Sequence, residues 1–106
     1  MRVLFDQGTP APLRRALAGH SVETAYERGW AELKNGDLIR VAEEGGFAVL
    51  VTTDKNLKYQ QNLSRRQLSI VVLLTTSWPL IQRALPRVVV AVDGVLPGEY
   101  VEVAVE

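Results

Sequence analysis

Phe47-Ala48-Val49-Leu50-Val51-Thr52-Thr53-Asp54 holds the clearest strand signal in the sequence, with an aspartate just past its end. Its apolar run is unbroken, so both faces of an extended segment over 47–52 are apolar. That pattern suits the interior of a parallel sheet, where helices cover both sides. Gly45-Gly46 precedes it, and Thr53-Asp54-Lys55-Asn56 ends it. Upstream, Asn35 is a good N-cap for a helix to about Glu44, with Leu38, Val41 and Ala42 as its apolar stripe. Downstream, 57–63 reads as a short helix carrying Tyr59, and 69–74 as a second fully buried strand. Ser77 then caps a helix with Trp78 and Pro79 in its first turn.

Nearer the N-terminus, Arg2-Val3-Leu4-Phe5 is a short buried strand closed by Asp6 and Gln-Gly-Thr-Pro. Thr9 is positioned to cap a helix with Pro10 at its first position, running to about Ala18, with Leu13 and Leu17 inward and Arg14 and Arg15 outward. Residues 21–25 alternate as a strand. Residues 86–96 are ambiguous: 88–92 has strand composition, yet Val88, Val89, Val92, Val95 and Leu96 fall on a helical stripe. The helix is preferred, because a strand there would run at once into the alternating strand 100–105. The order β-α-β-α-β-(α)-β-α-β predicts one domain over 1–106, a three-layer α/β/α sandwich with a mainly parallel sheet of about five strands. No internal repeat or low-complexity segment is visible.

Composition narrows the chemistry. The chain has 106 residues, 47% hydrophobic and 23% charged, which fits a single globular core and excludes disorder as the main state. No cysteine is present, so disulfides, thiolate catalysis and cysteine-zinc sites are excluded; a reducing compartment, the cytoplasm, is expected. One histidine, His20, leaves no multi-histidine metal site, and any metal must be held mainly by oxygens. Apolar runs reach five residues against about 20 for a bilayer span, and Asp6 interrupts the N-terminus too early for a signal peptide. Lys plus Arg and Asp plus Glu are 12 each, but unevenly placed: residues 55–92 carry six basic residues and no acid. Zero net charge argues against avid non-specific DNA binding, while the basic stretch suits either a local phosphate-binding face or a solvated surface.

The candidate chemistry sits at strand ends. Two strands end in an aspartate, Asp6 and Asp54, and Asp37 opens a helix on a connection expected at the same edge of the sheet. Three converging carboxylates repel one another unless a cation relieves them. Mg²⁺ takes a few carboxylates and keeps several waters, and such an ion activates water and stabilises a pentavalent phosphorus. Each residue also has a structural reading: Asp6 begins a turn, Asp37 stabilises a helix N-terminus, and Asp54 caps a short helix.

Taken together, Met-Arg-Val-Leu-Phe-Asp6 before a Pro-containing helix start, Gly29-Trp30 before Asn35-Gly36-Asp37-Leu38, and Val-Leu-Val-Thr-Thr-Asp54-Lys-Asn resemble the PIN-like family of small prokaryotic proteins, related to PIN-domain toxin nucleases of the VapC type. The resemblance covers nearly the whole chain in order and spacing. It implies an α/β/α sandwich, an acidic pocket for Mg²⁺ or Mn²⁺ built on Asp6, Asp37 and Asp54, RNA hydrolysis, and a toxin role beside an antitoxin protein, with a homodimer as a further partner. The chain departs from the family pattern at two places. Relatives often have Asp-Glu-Asn after the first strand, where this chain has Asp6-Gln7-Gly8; they often have Thr-x-Asp-x-Asp-Phe where it has Thr52-Thr53-Asp54-Lys55-Asn56-Leu57. Gln7 and Asn56 are neutral helpers in place of carboxylates, Glu32 lies near the motif region, and metal affinity is expected to fall. Under this reading Lys55, Lys58, Arg65 and Arg66 are the candidate RNA contacts.

Two other readings compete. A phosphoacceptor receiver domain also has acids after its first strand and an aspartate after its third, and Thr75-Thr76 mimics its hydroxyl position; it needs a lysine after the last strand, and residues 100–106 offer none. A catalytically weakened PIN-like module that binds protein or RNA is the stronger alternative, separable from a nuclease by metal titration. His20 reads as a surface or strand-edge residue, Trp30 and Trp78 as packing residues, and Tyr59 as the better base-stacking candidate.

Overall fold

The computed structural model describes residues 1–57 and 67–104. Strands β1 (Arg2–Phe5), β2 (Ser21–Thr24), β3 (Val49–Thr52), β4 (Ser69–Leu73) and β5 (Tyr100–Val103) form one sheet in the order β2-β1-β3-β4-β5. Every pairing is parallel. Every residue of β3 and β4 is buried, as the unbroken apolar runs require. Alternation sorts the side chains: Val3, Phe5, Val49, Val51, Val71, Leu73 and Val103 join one core, and Leu4, Leu50, Ile70 and Val72 the other.

Each core is closed by helices. On the first face lie a 3-10 helix (Ala11–Leu17), α2 (Trp78–Arg83) and α3 (Leu85–Gly94), contributing Leu13, Leu17, Ile81, Val88 and Val92. On the second face α1 (Asn35–Glu44) buries Leu38, Ile39 and Ala42, joined by Ala25, Phe47, Leu57 and Leu68. The result is the expected α/β/α sandwich, with the sheet parallel throughout. No helix among the described residues is long and apolar enough to cross a membrane. Between β1 and β2 and between β4 and β5 the chain steps toward opposite edges, yet both crossovers pass over the first face. The β4–β5 crossover therefore has the opposite hand to the β1–β2 crossover, a rare arrangement. Its location follows from coverage: the seven-residue 3-10 helix sits against β2, and α3 lies beside it over β4 and β5.

Residues 86–96 resolve in favour of the helix, with Val88 and Val92 inward and Val90 70% exposed. Ser77 caps α2 as expected, its Oγ accepting from the Leu80 amide at 3.4 Å. Three local expectations are corrected. Thr9 does not cap a helix. Pro10 takes that position without a side-chain bond, and a 3-10 helix replaces the expected α-helix over 10–18, opening with the Leu13 amide donating to the Pro10 carbonyl three residues back at 3.1 Å. The helix expected to be capped by Asn35 begins at Asn35, with Lys34 in the cap position. The strand expected over 47–52 begins at Val49, because the Phe47 amide is already committed to the Ala42 carbonyl at 3.0 Å, closing α1. The expected short helix over 57–63 lies outside the described residues apart from Leu57, and so does the end of the expected strand over 100–105.

Thr9 is instead a tie across the sheet end. Its buried Oγ1 donates to the Val51 carbonyl at 2.9 Å, and that carbonyl also accepts from the Asp6 amide at 2.9 Å. Thr9→Val keeps the shape and removes one of the two bonds. It should lower stability by about 1 kcal/mol with an unchanged urea m-value. A stability equal to that of the parent would show that the tie contributes nothing.

Candidate functional site

In a doubly wound sheet of order 2-1-3-4-5, ligands bind beyond the carboxyl ends of the strands, at the point where the strand order reverses. Here that point lies between β1 and β3, whose chains continue into Asp6 and, two residues past Thr52, Asp54. The structure thus brings Asp6 and Asp54 to neighbouring strand ends. The side chain of Thr52 joins them. Its Oγ1 donates to Asp6 Oδ2 at 2.7 Å and accepts from the Asp54 amide at 3.2 Å. Asp6 Oδ1 also accepts from the Gln7 amide at 2.6 Å, and Asp54 Oδ1 from the Asn56 amide at 2.9 Å. Both aspartates are half-buried, whereas Gln7 and Asn56 are exposed and meet the carboxylates through their backbone. Gly8 makes this approach of two loops feasible, since a Cβ there would lie 2.6 Å from Thr53 Oγ1.

Asp37 occupies the first turn of α1, exposed, and faces Arg40 at 3.9 Å. It supports the positive end of the helix dipole. Glu32 is exposed. Among the described residues no three carboxylate or histidine side chains gather as a metal-holding group, so Asp37 does not complete a triad with Asp6 and Asp54. Lys55 is exposed beside Asp54; Lys58, Tyr59, Arg65 and Arg66 lie outside the described residues. His20 bridges distant segments, with Nε2 2.5 Å from Asp93 Oδ1 and Nδ1 3.2 Å from the N-terminal amine. Trp30 packs edge-on against Phe47, and Arg2 and Arg28 stack over these rings, so Trp30 is a packing residue.

What the sequence reading missed lies one strand away. A groove of about 510 Å³ opens where β2 ends, lined by Ala11, Pro12, Arg14, Arg15, Thr24 and Glu27. Thr24 and Glu27 bond reciprocally. The Thr24 amide donates to Glu27 Oε1 at 2.9 Å, and the Glu27 amide donates to Thr24 Oγ1 at 3.1 Å. Thr-x-x-Glu is the capping-box spacing, so this signal was available in the sequence. Glu27 also pairs with both terminal nitrogens of Arg14. The Arg14 hydrogen bond, followed by the Thr24 amide, holds the Glu27 carboxyl below the usual 4.5. No family model matches the chain, and no curated protein or solved structure does.

Two outcomes test this geometry. Thr52→Val should lower stability by about 1–3 kcal/mol in chemical unfolding, because it removes a bond to a charged group and an acceptor for the Asp54 amide. For Glu27, a depressed folded pKa means its contribution is present above 4.5 and is lost as the pH falls through the folded value. Glu27→Gln should therefore flatten the acid side of the melting-temperature profile below pH 4.5. An unchanged acid limb would place that pH dependence elsewhere.

Proposed function

We propose that this chain is a PIN-like, metal-dependent ribonuclease of low intrinsic activity, with Asp6 and Asp54 holding one hydrated Mg²⁺ or Mn²⁺. The observation that supports it is the placement of Asp6 and Asp54 just past two adjacent strand ends, at the reversal of strand order, with the Thr52 hydroxyl bonded to the Asp6 carboxylate and the Asp54 amide. The donors fit a hard cation. Carboxylate and hydroxyl oxygens suit Mg²⁺ and Mn²⁺, and each carboxylate oxygen that accepts one hydrogen bond keeps a further lone pair. A bound divalent cation supplies Lewis acidity and charge neutralisation to a phosphate ester. Asp6 and Asp54 bind, Thr52 and the Gln7 and Asn56 amides orient them, and the amide side chains of Gln7 and Asn56 add no charge. The cytoplasm, an antitoxin protein and a homodimer belong to this same reading.

A second reading has its own support. Asp37 is paired with Arg40 and no third carboxylate joins the pair among the described residues, which favours a module that binds RNA or protein without turning it over.

Calorimetric titration with Mn²⁺ separates the two. The parent protein should bind one ion weakly, Asn56→Asp should tighten binding, and Asp54→Asn should abolish it. Asparagine at 54 still offers an oxygen to the Asn56 amide, so the metal-free stability of Asp54→Asn should stay within about 0.5 kcal/mol of the parent. Unchanged Mn²⁺ binding in Asp54→Asn would reduce Asp54 to a turn residue and remove the nuclease reading.

A further inference from the structure

The groove beside β2 is a second feature of the same sheet end, outside the carboxylate pair. Its wall is the start of the 3-10 helix, which leaves β1, and its other side is the turn that leaves β2. Thr24 pairs in register with Phe5, the residue before Asp6, so the groove lies one strand spacing from Asp6. Its volume of about 510 Å³ falls in the range of small-ligand sites.

The charges in it are not equivalent. Arg14 is held by Glu27, and Glu27 is itself anchored to the Thr24 amide. That arrangement neutralises Arg14 but fixes its guanidinium, whose side chain remains 40% exposed. Arg15 is exposed and, among the described residues, makes no hydrogen bond or ion pair. Among the described residues that line it, the groove therefore carries Arg15 as an uncompensated cation beside a second, immobilised guanidinium. Guanidinium groups suit phosphate because their forked donors match its oxygens. Tyr26, next to Glu27, is 78% exposed, an unusual state for an aromatic and one that suits stacking on a base.

We propose that this groove binds a backbone phosphate of single-stranded RNA through Arg15, with Arg14 as a fixed second donor, and lays the strand past Asp6 and Asp54. An acidic peptide would satisfy Arg15 equally but gives the exposed Tyr26 no base to stack on. The assignment rests on RNA as the substrate class; it requires neither bound metal nor turnover.

The test is fluorescence anisotropy with a labelled single-stranded oligoribonucleotide in EDTA, over a range of salt. Arg15→Ala should weaken binding about 5- to 10-fold at low salt. It should also reduce the slope of log K against log salt by about 0.7, the value for one lost phosphate contact on a single strand. Tyr26→Ala should weaken binding with the salt slope unchanged. Both side chains are exposed, so circular dichroism and melting curves should match those of the parent. If the parent binds RNA and Arg15→Ala binds with the same affinity and slope, the groove assignment fails while the RNA reading stands. If the parent binds no RNA at low salt, both fail. Binding of poly-glutamate that Arg15→Ala abolishes, with no RNA binding, would overturn the proposal in favour of an acidic protein partner. The Mn²⁺ titration of Asp54 variants is independent of all these outcomes.

Discussion

The parallel pairing of Val3, Leu4 and Phe5 with Val49, Leu50 and Val51 governs the rest of the structure. Both strands are apolar on both faces, so neither is stable unless helices cover each side. Leu4 and Leu50 face α1, while Phe5 and Val51 face the 3-10 helix and α3. Burying such a side chain contributes roughly 1.5–3 kcal/mol, about twice a net hydrogen bond. Packing therefore sets the register, and the polar groups at the strand ends take the positions the register leaves them. Asp6 and Asp54 are neighbours because the strands that carry them are neighbours.

That ordering of forces explains what could be read from the sequence. The five strands and the two longer helices announce themselves through uninterrupted or periodic apolar residues, and the described structure has their bounds within about two residues of the expected ones, the start of β3 included. In residues 86–96 the valines that share a face specify a helix, and burial of Val88 and Val92 follows that stripe. Capping was less legible, because a hydroxyl near a helix start has several partners within reach. Thr9 meets the end of β3, 42 residues away in sequence, and no local pattern reports a partner that distant. The carboxylate pair was legible because strand ends can be located. The position of Asp37 was not, since it depends on how the connection over residues 25–34 runs.

Thr52 shows how the site is held without any charge of its own. A hydroxyl both donates and accepts, so one buried side chain satisfies the Asp6 carboxylate and the Asp54 amide together. Valine would preserve the strand but leave both groups to find other partners. A threonine at the end of a buried strand is easily read as a β-branched filler. Here its oxygen is what couples two loops.

The strand order also bears on how the chain folds. Val3 and Val49 pair across 46 positions, and no two strands of the sheet are joined by a hairpin. The central pair must close a long loop before any of its burial is realised, so the entropy of closure falls early on the path and the stabilisation late. During synthesis β1 emerges first but finds its inner neighbour only after β2 and α1 have followed it. Until then one apolar edge of β1 is open, and the nascent chain has a period in which it is most exposed to mispairing.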